Sequence, residues 1–139
     1  MAERIVVDNS VVMSWCFEDE ATPYTDAVLD TLRRKKALVP SIWCFEAANV
    51  LSVAVRRGRL DAKDAARFAE ILRKLPIEIA SPVSRSDVPV LLALALETGL
   101  TAYDAAYLEA ARREHIPLAT IDSALRQAAS AAGIECFEP

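Results

Sequence analysis

Arg4-Ile5-Val6-Val7-Asp8-Asn9-Ser10 is the stretch whose reading decides the fold. Ile5, Val6 and Val7 are consecutive β-branched residues with no polar residue between them, the pattern of a short strand covered on both faces. The run stops at an acid, and Ser10 opens a helical pattern that reaches Phe17. Further short apolar runs follow at Ala37-Leu38-Val39, Ile77 to Ala80, Leu118 to Ile121 and Ile134 to Phe137. Helical patterns alternate with them. That alternation predicts an α/β fold with a central parallel sheet and helices on both faces, in one domain over residues 1–139.

The connecting helices have their own signals. Tyr24 to Lys35 carries Ala27, Val28 and Leu32 on one side. Ser41 is placed to cap a long helix ending at Gly58. Asp61 and Asp64 have a capping-box-like spacing before a helix running to about Leu75. Ser86 is expected to cap a helix reaching Thr98, with Pro89 tolerated in its first turn. Gly99 closes that helix and Thr101 opens the next, to Glu114. Ser123 to Ala132 is the last helix, and Glu18-Asp19-Glu20 reads as a solvated loop.

Composition limits the chemistry. The 139 residues are 53% hydrophobic, enough for one sizeable core. No apolar run approaches a membrane span, and Met1-Ala2-Glu3-Arg4 leads into the first strand without a leader pattern. A cytoplasmic protein with no membrane partner is the expectation. Cys16, Cys44 and Cys136 are odd in number with no C-x-x-C pair, so they are read as reduced thiols. His115 is the sole histidine and stands at a helix end, which argues against Ser–His and Cys–His catalysis. Net charge is −4, unlike a surface devoted to nucleic acid, although basic residues cluster at Arg33 to Lys36, at Arg56, Arg57 and Arg59, and at Arg112-Arg113. Solvated helix ends account for each cluster; an RNA-contacting rim is the other reading. Trp15, Trp43, Tyr103 and Tyr107 are read as core or interface aromatics.

Four acids need more explanation than the rest. Asp8, Asp104 and Asp122 end strands or open helices, and Glu46 lies inside an apolar helix pattern with Asn49 on its face. In an open α/β sheet, ligands bind beyond the carboxyl ends of the strands. Carboxylates converging there repel one another unless a cation joins them, and Mg²⁺ or Mn²⁺ suits hard oxygen donors. Each acid also has a plain reading. Asp8 and Asp122 suit N-caps, Thr101 and Asp104 a capping box, and Glu46 an ion pair with an arginine.

The chain resembles the PIN-domain family and, within it, the VapC-type toxins of toxin–antitoxin pairs. The resemblance rests on Val6 to Ser10, on Pro40 to Trp43 leading to Glu46 to Leu51, on Leu100 to Leu108, and on Pro117 to Asp122. It implies a three-layer α/β/α fold and an Mg²⁺-dependent endoribonuclease, with Mn²⁺ able to substitute. Asp8, Glu46, Asp104 and Asp122 match the family's catalytic and metal-holding acids, and Ser10, Asn49 and Thr120 match supporting positions. The resemblance further implies a homodimer whose cognate antitoxin blocks the site. A catalytically silent PIN-fold binding partner is the alternative. A receiver-like signalling domain lacks its lysine here, because the last lysine is Lys74.

Overall fold

The computed structural model describes residues 3–139, so Met1 and Ala2, read above as free of a leader, lie outside the described residues. Four strands form one parallel sheet: β1 (Arg4–Val7), β2 (Lys36–Val39), β3 (Ile77–Ile79) and β4 (Leu118–Ala119), in the order β3-β2-β1-β4. The register pairs Val6 with Leu38 on one side and with Leu118 on the other. Successive residues of a strand face opposite sides of a sheet. Ile5, Val6 and Val7 are all fully buried, so helices cover both faces. The architecture is the three-layer α/β/α arrangement that the short unalternating runs predict.

Among the described residues seven α-helices connect and flank the strands: α1 (Asn9–Ser14), α2 (Pro23–Thr31), α3 (Ile42–Arg56), α4 (Ala62–Lys74), α5 (Val88–Thr98), α6 (Ala102–Glu114) and α7 (Ser123–Ala131). The α6 helix packs across β1, β2 and β4, while α1 packs on α2 and α3. Two of the expected helices are shorter than their sequence pattern. The α1 helix stops at Ser14, and α2 stops at Thr31, where successive turns carry the chain into β2.

Several local expectations are corrected. Glu18–Glu20 forms a single 3-10 turn, held because Arg59 pairs with both Asp19 and Glu20. Ser41 occupies the N-cap position of α3 but makes no side-chain cap. Ser84, not Ser86, is the capping serine before α5: it forms a capping box with Asp87 over a 3-10 turn at Arg85–Asp87. The C-terminal run contributes one parallel bridge, Leu118 with Cys136, where a full strand was expected. Its short run has a partner only in the two-residue β4.

The α5 helix stands apart from the rest. From Val88 to Glu97 it carries no charge before its last turn, yet none of its residues is buried. Leu92 and Leu96 are 56% and 76% exposed. Gly99 follows in the left-handed region at φ 74°, where a side chain would strain the sharp turn into α6. No single helix among the described residues is long and apolar enough to cross a membrane.

Candidate active site

The connections from β1 to β2 and on to β3 build the sheet in one direction, and β4 then adds on the opposite side of β1. The strand order therefore reverses between β1 and β4. Such a switch point, beyond the carboxyl ends of the strands, is where open α/β sheets hold their ligands. Asp8 leaves β1 and Thr120 leaves β4 at this point. Tertiary topology, not local sequence, brings them together.

Asp8 is 6% exposed and does two jobs. Its Oδ1 accepts from the Val11 N–H at 3.2 Å, capping α1, and from Ser10 Oγ at 2.6 Å. Its Oδ2 accepts from Thr120 Oγ1 at 2.5 Å. Thr120 is fully buried and its hydroxyl also accepts from the Asp122 N–H at 3.0 Å. One threonine thus joins the ends of β1 and β4. Burial pushes the Asp8 carboxyl above its ordinary range, hydrogen bonds from Ser10, Thr120 and Val11 draw it back, and the Asp122 charge raises it.

Asp122 is exposed and caps α7, accepting from the Leu125 N–H at 2.9 Å. Asp104 is half-buried in the first turn of α6. Thr101 caps that helix by accepting from the Asp104 N–H, but the carboxylate does not return the bond and the expected capping box is incomplete. The carboxylate remains available. Burial first, and Asp122 second, raise its affinity for a proton.

Among the described residues Glu46 has no arginine partner. Its Oε1 instead accepts from the Tyr107 hydroxyl at 2.6 Å, across 61 residues of sequence. Burial raises the Glu46 pKa, the Tyr107 bond lowers it, and the charges of Asp104 and Asp8 raise it. Tyr107 is 1% exposed, and burial together with Glu46 holds its phenol far above the ordinary range. Sequence reading placed Tyr107 in the core, which is correct, but not its hydroxyl on Glu46. The available signal was its position three residues after Asp104, on the same helical face.

The supporting residues divide. Ser10 and Thr120 hold Asp8 directly, whereas Asn49 is exposed and is brought to Glu46 only as a neighbour along an open groove. Tyr103 is 60% exposed on that groove and so is no core residue. Other acids behave as surface groups: Asp30, Asp64, Glu70 and Glu109 pair with arginines three residues on.

Every charge that raises Asp8, Glu46 or Asp104 is another of the four carboxylates. An all-oxygen set with uncompensated negative charge fits a hard divalent cation. Among the described residues, however, no three acidic, histidine or cysteine side chains are grouped closely enough to hold one ion. The fit is therefore to Mg²⁺, which keeps several of its waters and needs only one or two carboxylates directly.

A family model described as PIN domain matches residues 5–131. The chain is similar in structure to PAE2754 from Pyrobaculum aerophilum, with a TM-score of 0.72 and 24% identity over 92% of this chain and 86% of that one. It is also similar to FitAcB from Neisseria gonorrhoeae, with a TM-score of 0.65 and 18% identity over 97% of each chain. At these identities the likeness shows the fold. No curated protein matches the chain.

Proposed function

This chain belongs to the PIN-domain family, whose members are generally nucleases, and we propose that it is an Mg²⁺- or Mn²⁺-dependent endoribonuclease of the VapC toxin type. The observation that supports this reading is that Asp8, Glu46 and Asp104 feel the charges of other acids of the predicted quartet, with no ion pair to any of them among the described residues, beside the switch point of the sheet. Asp8, Asp104 and Asp122 would hold the metal, directly or through its waters, with Glu46 at the rim. When bound, the cation supplies charge neutralisation at a phosphodiester and activation of water.

The chain's own residues have distinct tasks. Ser10 and Thr120 keep Asp8 in place with both oxygens hydrogen-bonded. Tyr107 orients Glu46, whose raised proton affinity suits it to take a proton from attacking water. The phosphorus–oxygen bond to the 3′ oxygen breaks as the new one forms. The products are a 5′-phosphate and a 3′-hydroxyl.

Two partners belong to this reading. The uncharged, uncovered face of α5 supports a homodimer, because like surfaces meet there without charge repulsion. The open groove beside Glu46 is suited to an extended segment of a cognate antitoxin. The setting is cytoplasmic. The test is RNA cleavage by purified protein with Mn²⁺ or Mg²⁺ and in excess chelator. Cleavage that needs the ion and yields 5′-phosphate ends is expected. Persistence in chelator, or cyclic-phosphate products, overturns the mechanism. A chain that binds partners but cuts no RNA would be the silent PIN-fold module.

A further inference from the structure

The link from β4 to α7 is Thr120, Ile121 and Asp122, and it joins the residue that holds Asp8 to another of the acids. Packing does little to fix it, since Ile121 is 43% exposed and Asp122 is exposed. Hydrogen bonds fix it instead. At one end the Asp122 N–H donates to the Thr120 hydroxyl at 3.0 Å. At the other, the Thr120 carbonyl accepts from Arg126 Nη1 at 2.9 Å. Thr120 is fully buried, and a buried carbonyl needs a partner. Arg126 is that partner.

Arg126 stands one turn after Asp122 on α7, and its backbone N–H donates to the Asp122 carbonyl at 3.0 Å. Its guanidinium nevertheless pairs elsewhere. Nη2 donates to Glu138 Oε1 at 3.0 Å, and the group lies 5.6 Å from the centre of the Tyr24 ring. The Tyr24 hydroxyl in turn donates to the Phe137 carbonyl at 2.7 Å. One planar fork is thus set between the β4–α7 link and the C-terminal tail, beside α2. Among the described residues its ion pair is with Glu138 and with none of the four acids. The charge of Asp122 still bears on Asp8 and Asp104. A cation one turn from Asp122 therefore holds the backbone of the site and leaves the site's negative charge in place.

We propose that Arg126 is a positioning residue for the cation site: by holding the Thr120 carbonyl it fixes where the Thr120 hydroxyl and Asp122 stand relative to Asp8. The metal role of those acids rests on the nuclease reading above; the hold on the link does not. Without the guanidinium, the Thr120 carbonyl is buried and unpaired, and the link turns to bring it to water. The hydroxyl of the same residue moves with it, so Asp8 Oδ2 and the Asp122 N–H lose their common partner. The acids keep their charges but not their spacing. Groups that orient metal ligands in this way set affinity without touching the ion. Glu138 and Tyr24 keep the fork in one orientation, so the C-terminal tail acts on the site through Arg126.

The test is calorimetric Mn²⁺ binding to the full chain, with hydrogen exchange at the Asp122 N–H followed by NMR in excess chelator. Arg126→Met keeps the stem and removes the donors, and Arg126→Lys keeps one donor. Expected for Arg126→Met are Mn²⁺ binding weakened about tenfold and faster Asp122 exchange, in a chain whose thermal melt shows it folded. Arg126→Lys recovers part of both, and it carries the comparison with wild type where Arg126→Met does not fold. Thr120→Val weakens binding too, and adding Arg126→Met to it costs much less than Arg126→Met alone, because the arginine acts through that residue. A general loss of packing gives additive losses and no recovery by lysine. Equal Mn²⁺ binding by wild type and Arg126→Met, or additive losses in the double variant, overturns the positioning role and leaves the nuclease reading standing. A wild type that binds no Mn²⁺ overturns both. Arg126-dependent Mn²⁺ binding in a chain that cuts no RNA sustains the positioning role and removes the nuclease.

Discussion

The two ends of the sheet handle charge in opposite ways. At the amino ends of the strands, Arg4 of β1 pairs with Glu114 at 2.8 Å and Glu78 at 3.7 Å. Lys36 of β2 pairs with Glu78 at 3.2 Å, and Lys35 with Glu3 at 2.8 Å. At the carboxyl ends, the charges that act on Asp8, Glu46 and Asp104 among the described residues are those of other acids: Asp122 on Asp8 and Asp104, and Asp104 and Asp8 on Glu46. The first end is self-sufficient and its groups are partly solvated, so each pair contributes little. The second end carries a repulsion that the fold leaves unrelieved. Perturbed, uncompensated groups in a cleft mark a functional site more often than a structural one.

The largest expected effect comes from breaking the carboxyl end. Asp104→Asn removes a half-exposed carboxylate that makes no cap, so the protein folds and cleavage falls about a hundredfold or more. Calorimetric Mn²⁺ binding is lost in parallel. An Asp104→Asn chain that cuts RNA at the wild-type rate would place the chemistry elsewhere.

Next in size is the effect of the ion on stability. Asp8, Glu46 and Asp104 all have folded-state pKa values raised by burial, so between their ordinary and raised values the folded form holds more protons than the unfolded. In chelated protein the stability these three acids contribute is therefore fully present below the ordinary carboxylate range of about 4, and is lost as pH rises through the raised values. At neutral pH, Mn²⁺ at about a hundred times its Kd returns about 2.7 kcal/mol. Thermal melts across pH, with ion and with chelator, measure both. Coincident curves would show that no ion relieves the repulsion.

Tyr107→Phe sharpens the comparison by removing a support and leaving the acids. The cost is about 1–3 kcal/mol in stability, as expected for a lost bond to a charged acceptor. Without the Tyr107 bond, the Glu46 pKa rises further, and the acidic limb of the pH–rate profile moves to higher pH. A fall in rate with an unmoved limb would reduce Tyr107 to a packing residue. The smallest effect is at the other end. Arg4→Met costs at most about 1 kcal/mol in a denaturant melt and leaves cleavage unchanged, because those charges stabilise without taking part.

Much of this was legible in the chain, for local reasons. The four acids could be singled out because apolar runs stop at them or, for Glu46, surround it. Several contacts carried no such signal. Thr120 reaches Asp8 across 112 positions, and Tyr107 reaches Glu46 across 61. Tyr103 was read as a core or interface aromatic, and its place in the first turn of α6 turns it away from the core to the groove. The last apolar run was read as a strand, but it meets only the end of a two-residue edge and forms a single bridge.

Sequence alone determined the elements and their alternation, because hydrophobic period and helix caps act over a few residues. It also determined that acids stand at the ends of those elements. Only the tertiary structure decided that β4 lies beside β1 and not beside β3. Strand neighbours are chosen by which distant apolar faces bury together, a property of the whole sheet. That choice places Thr120 on Asp8 and brings the Asp122 charge to bear on Asp8.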